Sequence, residues 1–86
     1  MILHTTEVAA LPDYRLFLRF NNGEAGEVDL SAELDGEVFE ALRDPAVFAT
    51  ASQHPLMRTA AWANGVDLAP EFLLDLMRAQ QGDRAA

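Results

Sequence analysis

The side chains able to do chemistry are few and scattered. The chain has two histidines, His4 and His54, far apart in sequence, and neither is accompanied by enough ligands to complete a zinc site or a facial triad. Asp29, Ser31, Glu33 and Asp35 place oxygen ligands at alternate positions, the beginning of a calcium loop. The pattern fails in either frame. Counting from Asp29 puts Leu34 at the sixth position, where the sharp turn needs glycine, and counting from Ser31 puts Leu42 at the twelfth, where a bidentate glutamate is needed. Ser31 and Ser52 sit in no nucleophile-elbow context, and Gly23, Gly26, Gly36, Gly65 and Gly82 are spread out as turn residues rather than gathered into a phosphate loop. No catalytic, cofactor-binding or metal-ligating residue is therefore assigned, and no cofactor is expected.

Two stretches stand out. Glu24, Glu27, Asp29, Glu33, Asp35, Glu37 and Glu40 fall in one run without a basic residue, which makes either a solvated face or a docking surface for a basic partner. The second is Trp62 to Glu71, with the only tryptophan, an Asn64-Gly65 turn signal and Pro70 at a helix start. Small neighbours at Ala60, Ala61 and Ala63 make Trp62 a core or interface anchor in preference to a ligand-stacking platform. Asp67 is placed to accept hydrogen bonds from the opening amides of the helix or from the Asn64-Gly65 turn, a structural role. Trp62, Asn64, Gly65, Asp67 and Pro70 form the structural signature of the chain.

The elements that position these residues follow from periodicity. Tyr14, Leu16, Leu18 and Phe20 alternate with Arg15, Phe17 and Arg19, a half-buried strand. Pro12-Asp13 before it is a turn signal, so about Leu3 to Leu11 forms the preceding antiparallel strand. Asn21-Asn22-Gly23 suits a tight turn into a third strand from about Glu24 to Leu30, with Val28 and Leu30 on one face. Ser31 can cap a short helical turn with its hydroxyl. Val38, Phe39 and Leu42 share a helical face in residues 37–43, and Asp44 with Pro45 caps a second short helix to about Ala49. Residues 50–55 form a poor strand or loop, and residues 58–63 a further strand. Asn64-Gly65 closes that strand as a type I′ turn, with both residues at positive φ, and Val66 to Leu68 returns. Pro70 opens a helix through about Gln81, in which Phe72, Leu73, Leu76 and Met77 recur at helical spacing and Gly82 is the C-terminal cap.

The expected fold is α+β: a small antiparallel sheet, comprising a three-stranded N-terminal meander plus a short C-terminal hairpin, with one or two short helices and one longer C-terminal helix. Residues 1–81 form a single compact domain, with 82–86 as a frayed tail. Half of the 86 residues are apolar and 23% are charged, the balance of a folded domain with a thin core. There is no cysteine, no basic and apolar leader at the N-terminus and no long apolar run, so the cytoplasm is the expected compartment, without a membrane association. A net charge of −8, with every basic side chain an arginine, argues against direct binding to nucleic acid and for a protein partner with a basic surface. The wide apolar face of the last helix, counting Leu74, admits a homo-dimer.

The ordered set Leu11-Pro12-Asp13-Tyr14-Arg15-Leu16, Asn22-Gly23, Val28-Asp29-Leu30, Val38 to Pro45 and Trp62 to Glu71 resembles the small bacterial family called domain of unknown function 2442, over about residues 2 to 77. Ala63 and Ala69 depart from it, standing where that family tends to have a proline and a polar cap residue. The resemblance implies a compact α+β unit, often encoded beside another small protein in an arrangement like a toxin–antitoxin pair, and in some relatives fused to a helix-turn-helix; it implies no catalytic residues. Two functions follow. The first is a non-enzymatic protein-interaction module, the acidic antitoxin-like member of a two-gene pair whose partner is the neighbouring gene product. The alternative is a small-ligand-sensing or regulatory domain related to the N-terminal part of helix-turn-helix transcription regulators.

Overall fold

The computed structural model describes residues 2–33, 36 and 40–85. Alternation along Arg15–Phe20 builds the middle strand: Leu16, Leu18 and Phe20 turn inward and are buried, while Arg15, Phe17 and Arg19 turn outward. This strand, β2, pairs antiparallel with β1 (Thr5–Leu11) and β3 (Ala25–Asp29), giving the order β1-β2-β3 expected of a meander. A register shift between Thr5 and Glu7 keeps Thr5, Val8 and Ala10 on the inner side with Leu16, Leu18 and Phe20. The outer face carries the cross-strand pairs Arg19–Glu7 at 3.4 Å and Arg15–Glu27 at 3.0 Å, with Arg19 also over the Phe17 ring. Exposed pairs of this kind contribute about 0 to 1 kcal/mol each, so the inner face holds the sheet.

That inner face is covered by a short helix α1 (Pro45–Phe48), a two-stranded piece formed by β4 (Ser52–Gln53) and β5 (Ala60–Ala61), and the long helix α2 (Pro70–Ala85). Val28, Leu30, Leu42, Phe48, Trp62, Leu68, Leu73, Leu74 and Met77 complete one core with the three inward residues of β2. Burying each large side chain of this set contributes about 1.5 to 3 kcal/mol. At Gly26, in β3 rather than in a turn, an added Cβ would lie 3.3 Å from the Met77 sulfur and closer still to the Gln81 amide, so glycine lets α2 lie directly on the strand.

Several local expectations are corrected. Strand β1 starts at Thr5, not Leu3, because His4 bonds Asn21 instead: His4 N donates to Asn21 Oδ1 and Asn21 N to His4 O, both at 3.0 Å. The turn of 3-10 helix at Ser31–Glu33 is held by Asp29, whose carboxylate accepts from Ser31 N at 2.9 Å; no hydroxyl cap from Ser31 forms among the described residues. Residues 37–39 of the expected helix 37–43 lie outside the described residues, and Ala41–Arg43 is a 3-10 turn that buries Leu42. Only Ser52–Gln53 and Ala60–Ala61 are regular in the segments read as strands.

Asn64-Gly65 does not form a type I′ turn. Gly65 is at φ +90° and Asn64 is not at positive φ; Gly65 N donates to Trp62 O at 3.0 Å, Trp62 N to Val66 O at 2.9 Å, and Val66 N to Asn64 Oδ1 at 3.1 Å. The same three bonds recur at Phe20 to Glu24: Gly23 N to Phe20 O, Phe20 N to Glu24 O, and Glu24 N to Asn22 Oδ1, with Gly23 at φ +93°. Both Asn-Gly pairs thus sit in three-residue loops in which glycine alone takes the left-handed conformation and asparagine secures the following amide.

In α2, Pro70 stands at the first position as expected, but Gly82 does not end the helix, which runs to Ala85; an interior glycine costs about 1 kcal/mol and the helix formers around it carry the turn through. The buried stripe is Leu73, Leu74 and Met77, with Leu76 half-buried at about 100° from the stripe's centre and Phe72 exposed at about 150° from it. No helix among the described residues is long and apolar enough to cross a membrane.

Candidate functional site

A cleft of about 430 Å³ opens between the β1–β2 turn and α1, lined by Ala10, Leu11, Pro12, Asp13 and Tyr14 on one side and Pro45, Phe48 and Ala49 on the other. Its first wall is bent by two consecutive left-handed residues, Asp13 at φ +63° and Tyr14 at φ +60°. Aspartate tolerates this region; tyrosine does so at a cost of about 1 to 2 kcal/mol. Three contacts hold Tyr14 there. Its carbonyl accepts from Leu30 N at 2.9 Å, its hydroxyl donates to Arg43 O, and its ring meets Phe48 edge-on at 5.3 Å.

The second wall is the short helix. Asp44 caps it, accepting from Ala46 N at 2.9 Å, and Pro45 supplies the preset φ at its first position. These two residues direct Phe48 inward, where its ring packs against Trp62 at 5.9 Å and its carbonyl accepts from Trp62 Nε1 at 3.1 Å. Trp62 is the core anchor expected of it, buried behind the cleft and not lining it.

Asp13 is the one carboxylate in the lining, and it is exposed. It makes no hydrogen bond or ion pair with any described residue. The nearest arginine in sequence, Arg15, is committed elsewhere, its Nε to Pro12 O at 3.1 Å and its terminal nitrogen to Glu27. The lining presents an apolar floor, a carboxylate at the rim with no partner among the described residues, and a tyrosine hydroxyl whose hydrogen goes to Arg43 O.

The residues singled out by sequence lie elsewhere. Glu24 is gripped by Arg78, with Nε to Oε1 at 3.0 Å and a terminal nitrogen to Oε2 at 2.6 Å, and the Arg78 guanidinium holds its carboxyl below the usual range. Glu27 pairs with Arg15, and Asp29 caps the 3-10 turn. Glu33 and Glu40 are exposed, while Asp35 and Glu37 lie outside the described residues. The acidic run is thus not one free face, since three of its members are engaged. Asp67 is exposed and bridges Ala61 through its backbone; its carboxylate accepts neither from the opening amides of the helix nor from the Asn64-Gly65 turn, where Asn64 takes the Val66 amide. His54 Nδ1 accepts from the amides of Leu56 and Met57 at 3.1 and 3.0 Å, and His4 Nδ1 lies 3.1 Å from Ile2 O. Among the described residues no group of three or more histidines and acids is placed to hold a metal ion.

Sequence reasoning missed the cleft itself. The signal it contained was local: Pro12-Asp13-Tyr14 makes a tight turn without a glycine, so that ordinary residues must adopt a conformation they resist.

The model of a family described as protein of unknown function (DUF2442) matches residues 5–79. The fold is shared with the crystal structure of a putative DNA binding protein from Nitrosomonas europaea, at a TM-score of 0.82 and 24% identity over 95% of this chain and 53% of that one. This chain therefore spans about half the length of that protein. No curated protein matches the sequence. The likeness corrects the expectation about partners, which set nucleic acid aside and put a basic protein or a second copy in its place. A chain described as a putative DNA binding protein carries this fold over about half its length. Net charge summed over one domain is a statement about the surface of that domain, and it does not decide what proteins built with the fold act upon.

Proposed function

Because the chain belongs to the DUF2442 family, for which no activity stands as a premise, we propose a function from the cleft: a non-enzymatic, cytoplasmic small-ligand-sensing domain of the kind that regulates proteins acting at DNA. The observation that carries the reading is the chain of contacts from the cleft inward. Tyr14 and Phe48 line it, Phe48 touches Trp62 by ring and carbonyl, and Trp62 belongs to the hairpin that leads through Leu68 into α2. Occupation of the cleft bears on Phe48 and through it on the joint between sheet and last helix. The volume falls in the range of about 300 to 1,000 Å³ found for small-molecule sites. The association with DNA comes from the Nitrosomonas protein, in which the same fold fills about half the chain.

Trp62 is the sole tryptophan and touches Phe48 of the lining, so its emission reports on the cleft through that ring. Titration with a panel of small amphipathic metabolites, followed by Trp62 fluorescence and thermal shift, should yield compounds that change both. A panel without any such compound removes the sensing function. Duplex binding by the chain at low salt, with and without a compound so found, tests the association with DNA; binding that depends on the compound supports it, and no duplex binding in either condition removes it.

A further inference from the structure

The lining identifies the kind of molecule it suits. Two of its eight residues, Pro12 and Pro45, have no amide hydrogen. The amides of Phe48 and Ala49 are bonded within the helix, to Asp44 O at 2.9 Å and Pro45 O at 3.0 Å. The Ala46 amide beside them is taken by Asp44, and the Tyr14 hydroxyl hydrogen by Arg43 O. The helix side of the cleft is thus poor in free donors, while the turn opposite holds the amides of Asp13 and Tyr14, which donate to no described residue. Its charged group is an acceptor, the Asp13 carboxylate, with no partner among the described residues, and the chain as a whole carries −8. An anion in this cleft would meet the like charge of Asp13; a cationic nitrogen would bring hydrogen-bond donors and the opposite charge together at that carboxylate. The remainder of the surface, Ala10, Leu11, Phe48 and Ala49, is apolar.

We propose that the cleft takes a small ligand with an apolar or aromatic body and a positively charged amine, the body seated against Phe48, Ala10 and Ala49 and the ammonium at the Asp13 carboxylate. The inference rests on the sensing function above and names its ligand class. Two neighbouring features contribute to the specificity. Asp44 caps the helix outside the lining, so Asp13 alone places a carboxylate in it, and the neighbouring Tyr14 ring adds apolar surface to the same wall.

The test uses three molecules with one body: phenethylamine, 2-phenylethanol and phenylacetate. Binding to the full chain is read by Trp62 emission and located by amide chemical shifts at Asp13, Tyr14 and Phe48. The amine should bind about fivefold more tightly than the alcohol, as expected for an exposed charge pair, and the acid most weakly. Asp13→Asn keeps a side chain suited to the left-handed turn and should bring amine and alcohol to within about twofold. Ala49→Phe, which fills the cleft, should abolish the shifts for all three. Equal binding of acid and amine, an amine preference unchanged in Asp13→Asn, or no shift with any of the three overturns the ligand class. If the metabolite panel has meanwhile produced neutral or acidic cleft ligands, the sensing function stands without it; an empty panel removes both.

Discussion

Gln80 takes the place of a fourth strand beside Asp29: its Oε1 accepts from Asp29 N and its Nε2 donates to Asp29 O, both at 2.8 Å. The outer edge of β3 would otherwise offer that amide and carbonyl to another chain. Gln53 does similar work at the opposite edge, where its amide nitrogen donates to Thr5 O and its oxygen accepts from the Thr5 hydroxyl. Gln80→Ala should lower stability by about 1 kcal/mol and increase self-association, read by urea denaturation and light scattering. Gln80→Glu should lose as much, since a carboxylate cannot donate to Asp29 O.

Phe48 joins three parts of the molecule, and its truncation should be the most damaging single change near the cleft. Phe48→Ala should cost about 3 to 5 kcal/mol, with a red shift of Trp62 emission in whatever fraction stays folded. Phe48→Leu should cost less and still alter the emission, because the tilted ring contact at 5.9 Å is lost while the backbone carbonyl still receives the indole N–H.

The two Asn-Gly loops make a matched pair for substitution. Gly65→Ala and Gly23→Ala each force a left-handed alanine and should each cost about 1 to 2 kcal/mol. Space is not the obstacle at either position, where an added Cβ meets nothing within 4 Å. Asn64→Asp should be close to neutral and Asn64→Ala should cost about 1 kcal/mol, since only the second leaves the Val66 amide without its acceptor. Thermal unfolding of the four variants checks the order.

The Glu24–Arg78 pair predicts a pH dependence of known sign. Arg78 lowers the carboxyl from its ordinary value of 4.5, chiefly by hydrogen bonding, and Asn22 adds a bond at 2.7 Å. The unfolded chain therefore binds this proton more readily than the folded one, so the pair contributes fully above 4.5 and its contribution is lost as pH falls through the lowered value. In Arg78→Met, NMR titration of the Glu24 side chain should return its midpoint toward 4.5. An unchanged midpoint would show that the guanidinium is not the cause.

At the turn before β2, stability and binding should separate. Asp13→Gly relieves the left-handed backbone and should raise stability by about 0.5 kcal/mol, while removing the carboxylate that the amine requires. Thermal unfolding and the phenethylamine titration, run on the same variant, should move in opposite directions.

Much of the fold was legible because it rests on local rules. The alternation of Leu16, Leu18 and Phe20 with Arg15 and Arg19, the cap made by Asp44 with Pro45, and the helix start at Pro70 all express short-range preferences, and all appear as expected. Asn64-Gly65 was legible as a loop but not as its type, since the same dipeptide serves two-residue and three-residue connections and the deciding bond, Trp62 N to Val66 O, lies outside it. The acidic run showed its charge but not its partners, because Arg15 and Arg78 come from other elements. The cleft was hidden for the same reason: Pro12 to Tyr14 and Pro45 to Ala49 meet only where Tyr14 reaches Phe48 and Arg43.

The left-handed Asp13-Tyr14 pair also bears on how such sequences drift. Tyr14 is kept by its bonds to Leu30 and Arg43 and its contact with Phe48, so within the pair it is Asp13, without a partner among the described residues, that only a ligand would hold in place of glycine. Lineages that lose the ligand should let this position go first, drifting to glycine or asparagine and becoming sturdier as they do. Those that keep an acid there, against the grain of their own backbone, are the ones in which a living function should be sought.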